Sequence, residues 1–177
     1  YLAEQRESYK PYVFASFYIL ADHVDAITGK AEVIENLIQS SIGDETGFVF
    51  AMKATKKLVS DGIINPSDAL DQLMEIDHSI LPSEIAKKYF SAFQVIIQNC
   101  EESLYPVLNK FLIDIVQNSE DMHKRACAMK ALYEFASIDL QTFKEDTMIG
   151  INAAHSIFSN EETTTESKVI AAEFVQA

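Results

Sequence analysis

An all-α fold is predicted by three observations. The chain has only five Gly and four Pro in 177 residues, too few for the frequent turns of an all-β protein. Its apolar residues recur at helical spacing, as in Ile85, Tyr89, Phe93, Ile96 and Ile97. Third, a set of positions p, p+3, p+6 and p+7, small in the middle where possible, returns five times. It reads Tyr12/Ala15/Tyr18/Ile19, Phe48/Ala51/Ala54/Thr55, Lys88/Ser91/Gln94/Val95, Arg125/Ala128/Ala131/Leu132 and Lys168/Ala171/Phe174/Val175. The p+3 residues step by 36, 40, 37 and 43. A period near forty with two helices per unit predicts a right-handed α-α superhelix of four to five antiparallel helix pairs, with residues 1–177 as a single helical-repeat domain. Small residues at p+3 and p+6 let a neighbouring helix approach closely, and p+7 fills the layer beside it.

Each element has its own signal. A first helix is expected from Leu2 to Val24, bent at Pro11, whose ring clashes with the preceding turn. Thr28-Gly29 breaks it, and a second helix from Lys30 to Ser41 carries Val33, Ile34, Leu37 and Ile38 on one face. After Gly43, Asp44 or Thr46 caps a helix running to Asp61-Gly62. Asn65-Pro66-Ser67-Asp68 starts the next: Asn caps free amides, Pro fits the first helical position, and Asp68 suits the positive end of the dipole. That helix is expected to carry Leu70, Leu73, Met74 and Ile80. Leu81-Pro82-Ser83-Glu84 opens another, and Glu101-Glu102-Ser103 is an acidic break. A pair then spans Leu104 to Leu132 around the loop Asn118–Asp121. A last pair begins between Leu140 and Asp146, with Met148, Ile151, Ala154, His155 and Phe158 at helical spacing before the polar loop Asn160–Glu166. Loops this short imply antiparallel neighbours.

Composition narrows the function. No apolar run is long enough to span a bilayer, so no membrane insertion is expected. The formal charge is −13, and such a surface repels phosphate backbones and anionic lipid while steering in a basic partner. Direct nucleic-acid binding is therefore not expected. Two cysteines, Cys100 and Cys127, make no disulfide framework, and no Asn-x-Ser/Thr acceptor occurs, which points to a cytoplasmic or nuclear setting. The chain is expected to be a segment of a longer one.

Residues 104–135 resemble a HEAT repeat. Leu104, Pro106, Leu108 and Leu112 match the first helix of that family, and Arg125-x-x-Ala128-x-x-Ala131-Leu132 matches the second. The resemblance implies a HEAT/armadillo-like solenoid acting as a protein-binding scaffold, with Arg125 tied to an aspartate, either Asp114 or Asp121. The acidic charge and broad aromatic content are also similar to importin-type nuclear transport receptors, which embrace basic cargo. The run Ile157–Asn160 through Lys168–Ala172 is similar to the helical domain of vitellogenin-like large lipid transfer proteins, implying a lipid transfer or storage role as the alternative.

One constellation carries catalytic chemistry on paper. Glu75-Ile-Asp-His78 and Glu120-Asp-Met-His123 each place a carboxylate and an imidazole at i, i+3, the spacing used in di-metal carboxylate bundles. Against it, Glu120 and His123 stand at the polar start of a helix, where capping is the ordinary role. Cys100 is followed by Glu101-Glu102, expected to raise its pKa, and Cys127 beside Ala128 reads as a packing residue. No phosphate loop, zinc spacing, nucleophile elbow or dinucleotide fingerprint is present. No catalytic, cofactor-binding or metal-ligating residue is assigned, and a non-enzymatic scaffold, as a transport receptor or adaptor segment, is expected.

Overall fold

The structure, a computed structural model, describes residues 38, 39, 41, 43–139 and 142–176. The helix expected over Leu2–Val24, most of that over Lys30–Ser41, and the Tyr12/Ala15/Tyr18/Ile19 set lie outside these residues. Among the described residues every regular element is helical, and the fold they form is all-α. The chain divides into two compact units, Tyr1–Asp77 and His78–Ala177.

In the first unit α1 spans Glu45–Ser60 and α2 spans Pro66–Met74. Asp44 caps α1 by accepting from the Gly47 amide at 3.1 Å, and Gly62 ends it at φ +66, a left-handed conformation that costs glycine nothing. Phe48, Ala51, Ala54 and Thr55 are all buried, and the Thr55 hydroxyl is satisfied by donating to the Ala51 carbonyl at 2.9 Å. Asn65 caps α2 as its sequence predicts, accepting from Ser67 N at 2.9 Å. The helix stops at Met74 instead of reaching Ile80. Ile76 turns into the core, while Ile80 lies exposed on a separate 3-10 turn, His78–Ile80.

The second unit contains α3 (Ser83–Asn99), α4 (Tyr105–Asn118), α5 (Met122–Ile138), α6 (Lys144–Ser159) and α7 (Thr165–Gln176). Helix α5 packs against α3, α4, α6 and α7, and α4 also packs against α6. Cross-links give the directions. Ser83 meets Asp121 at the start of α3 and α5, while Gln94 and Gln98 meet Glu134 towards their ends. His123 meets Ser167 at the start of α5 and α7, and Tyr133 packs edge-on against Phe174 further along. So α3, α5 and α7 run parallel, and their N-termini gather at one end.

The surrounded position of α5 explains its composition. Ala126, Cys127, Ala128, Met129, Ala131, Leu132 and Phe135 are buried, covering most of the helix circumference. Small side chains on several sides let four helices approach. Elsewhere the expected register fails in part. On α3, Ser91, Gln94 and Val95 are only half-buried, because the core side is that of Tyr89, Phe90, Phe93 and Ile97. On α6, Met148, Ile151, His155 and Phe158 are exposed, and the buried residues are Gly150, Ala153, Ala154 and Ile157. The close α6–α7 approach decides this: a Cβ on Gly150 would overlap the Phe174 ring, so the contact takes the small side of α6 and leaves the large side out. On α7, Ala171 and Phe174 are buried but Val175 is exposed.

Two substitutions test this register. Ala128 is fully buried, so Ala128→Arg forces a long cation into a close helix contact and is expected to cost at least ~3 kcal/mol. Glu161→Lys, in the exposed loop before α7, is expected to change stability by less than about 0.5 kcal/mol. Equal small shifts of the two melting temperatures would contradict the packing described.

Candidate functional site

Three parallel helices that begin together bring their polar starts together. Each helix start has unpaired amides and the positive end of a dipole, so carboxylates and hydroxyls are favoured there. At this end a groove of about 400 Å³ is lined by Ser83 and Glu84 from α3, Glu120 to His123 before and on α5, and Asn160, Glu162, Thr163, Thr164, Glu166 and Ser167 before and on α7. Five of its lining residues are carboxylates: Glu84, Glu120, Asp121, Glu162 and Glu166.

Asp121 organises the site. Its Oδ1 accepts from the amides of His123 at 2.8 Å and Lys124 at 3.1 Å, and its Oδ2 accepts from the Ser83 hydroxyl at 2.6 Å. Partial burial alone would raise its pKa. The Ser83 hydroxyl, the two amides and the nearby Lys124 ammonium outweigh that and hold the carboxyl below its ordinary value. Glu166 is also held low, by Lys87, which donates to it at 3.1 Å. The α7 side of the groove is a hydroxyl network: Ser167 N donates to Thr164 Oγ1 at 3.3 Å, and the two hydroxyls lie 2.8 Å apart. Thr163 is buried, and its Oγ1 has no hydrogen-bond partner.

The two Glu-x-x-His pairs singled out from sequence take different local settings. Glu75 is the exposed C-cap of α2, and His78 stands on the 3-10 turn, edge-on to Phe111 at 5.8 Å, so this Glu-x-x-His does not share a helix face. Glu120 is exposed and precedes the α5 cap. His123 contacts Ser167 through Nδ1 at 3.0 Å and Cys127 Sγ through Nε2 at 3.6 Å. Among the described residues no group of three or more His, Cys, Asp or Glu is placed to hold a metal. Burial pushes the Cys127 thiol up to about 12, which favours its protonated form. Cys100 is also raised, but by burial, not by Glu101 and Glu102.

Arg125 corrects another expectation. It bonds neither Asp114 nor Asp121. Its Nη2 donates to the Ser119 carbonyl at 2.7 Å and the Gln117 carbonyl at 3.4 Å, and its Nη1 reaches Ser156 Oγ at 3.4 Å. Asp121 is engaged as the cap, and exposed Asp114 accepts from Asn118 at 2.8 Å. The arginine thus satisfies the carbonyls that end α4 and the loop after it, a C-terminal capping role. Lys124, also buried, donates to the Ser79 carbonyl at 2.8 Å.

Two readouts check these assignments. Because the Asp121 carboxyl is held below its unfolded value, its contribution is fully present above that value and is lost as pH falls through the lower folded one. Asp121→Ala is expected to cost about 1–2 kcal/mol near neutral pH. The gap to the wild type should close in acid, as urea melts would show; a constant gap contradicts the shift. Cys127 is expected to resist alkylation until the protein unfolds, and rapid native labelling contradicts its burial.

No protein-family model, curated protein or solved structure matches the chain.

Proposed function

We propose that this protein is a non-enzymatic binding scaffold, a segment of a HEAT/armadillo-like α-solenoid whose acidic groove receives a basic segment of a partner protein, in the manner of a transport receptor or adaptor working in the cytoplasm or nucleus. The observation that carries the reading is the alignment of three helix starts around five carboxylates in a chain of net charge −13. Such a concave, single-signed surface concentrates cationic side chains and speeds their arrival. Charge-assisted hydrogen bonds from Lys or Arg to Glu84, Glu120 and Glu162 supply the attraction, and Thr163 Oγ1 offers an additional buried acceptor or donor. In support of the solenoid arrangement stand the parallel run of α3, α5 and α7 and the packing of α4 on α6.

A fluorescently labelled Lys/Arg-rich peptide is expected to bind and to weaken steeply with salt, while its Asp/Glu counterpart does not bind. The double variant Glu84→Lys/Glu162→Lys is expected to weaken binding at least tenfold, equivalent to about 1.4 kcal/mol. The control Glu101→Lys/Glu102→Lys makes the same charge change at exposed residues following α3, away from the groove, and is expected to bind within about threefold of the wild type once bulk charge is allowed for. Equal losses in both variants would reduce the effect to net charge and overturn the groove assignment.

A further inference from the structure

His123, the second residue of α5, is half-buried and lines the groove. Both of its ring nitrogens are engaged, Nδ1 with the Ser167 hydroxyl at 3.0 Å and Nε2 with the Cys127 thiol at 3.6 Å. Each of these partners can either donate or accept. A backbone carbonyl or a carboxylate facing a ring nitrogen fixes a proton there, and a backbone amide keeps the proton off. Neither constraint acts on His123, so the ring is hydrogen-bonded at both nitrogens whether it carries one proton or two.

The hydroxyls accommodate the second proton. In the imidazolium both nitrogens donate, so Ser167 Oγ and Cys127 Sγ both accept. Ser167 then turns its own proton to Thr164 Oγ1, 2.8 Å away, whose two lone pairs serve this bond and the one from Ser167 N at 3.3 Å. Thr164 is exposed at the groove, and its hydroxyl proton is left to point outward. Protonation therefore ends as a positive charge and a turned-out donor at the groove, with no hydrogen bond of the ring lost.

Charges reach the ring from three sides. Helix α3 brings Glu84 and Lys87, the start of α5 brings Glu120, Asp121 and Lys124, and α7 with its preceding loop brings Glu162 and Glu166. Lys130, further along α5, is paired with Glu173, and α4 and α6 contribute no charged residue to the groove lining. Lys87 holds Glu166, and Asp121 is engaged by the α5 amides and Ser83, so exposed Glu84, Glu120 and Glu162 remain to meet an incoming cation. The ring already acts on this set: Glu166 is held below its ordinary value chiefly by Lys87 and in smaller part by His123. Of the ionisable side chains lining the groove, His123 alone is of a type that changes charge between about pH 5 and 8, a range in which carboxylates stay ionised.

We propose that His123 makes the groove a pH-sensitive site, which holds a basic segment while the ring is neutral and holds it less tightly once the ring is protonated. This rests on the reading of the groove as the site of a basic segment. Reciprocity then requires that docking of a cationic segment disfavour the proton on the ring.

Two measurements test it. In nuclear magnetic resonance of the free protein, the His123 ring protons and the Thr164 and Ser167 amides are expected to shift along one titration curve, and in His123→Gln the two amides no longer titrate. The affinity of the labelled Lys/Arg-rich peptide, whose own charge is constant in this range, is expected to fall about fivefold between about pH 7.5 and about pH 5.5 at fixed ionic strength. His123→Gln, which keeps a donor and an acceptor without the charge, is expected to bind within about twofold across the same range. Peptide binding that ignores pH, or that weakens in acid equally in His123→Gln, overturns the switch and leaves the groove reading standing. Thr164 and Ser167 amides that do not follow the ring overturn the hydroxyl chain on which the switch depends. Absence of peptide binding at every pH overturns the groove reading, and the switch with it.

Discussion

The second unit depends on one helix that has almost no free side. Helix α5 is contacted by α3, α4, α6 and α7, and its buried residues face in nearly every direction. That is sustainable only if the residues at the closest approaches are small, as Ala126, Ala128 and Ala131 are, with Met129, Leu132 and Phe135 filling the gaps between helices. The same crowding governs the polar groups on α5. Lys124, largely buried, donates to Ser79, Arg125 spans the end of α4, and Asp121 closes the amides at the helix start. Each of these three side chains has a defined partner, although Arg125 Nε, itself buried, has none.

Parallel packing around α5 also sets the electrostatics. Because α3, α5 and α7 begin at one end, the carboxylates favoured at each helix start accumulate there and not evenly over the surface. Acidic residues that come along the helices are handled differently: Glu134 accepts from Gln94 and Gln98, and Glu173 pairs with Lys130. The groove thus gathers five carboxylates at the end where α3, α5 and α7 begin, two of which, Asp121 and Glu166, have partners of their own.

The helical class, the starts at Asn65-Pro66 and Pro82-Ser83, and the loops at 118–121 and 160–166 were legible in the sequence, because capping and proline chemistry are local. The face of α6 was not. Hydrophobic periodicity favours Met148, Ile151 and Phe158, yet the neighbour that determines the buried side is Phe174 on another helix, and it requires Gly150. The partner of Arg125, expected to be Asp114 or Asp121, is neither for a similar reason: the position of Asp121 directly before Met122 makes it the cap, and Asp114 accepts from Asn118. Of the groove, only the polarity of its loops was visible. Thr163, Ser167 and Glu166 join Ser83 and Asp121 through packing of helices far apart in sequence, which no local pattern records.

The central claim is that α5 is the buried hub of residues 78–177, and native-state hydrogen exchange followed residue by residue measures it directly. The backbone amides of Ala128 to Leu132 are expected to be the slowest in the unit, opening only with global unfolding, while those of α6 and α7 exchange sooner through local opening. Protection of α5 no greater than that of α6 and α7 would contradict the claim.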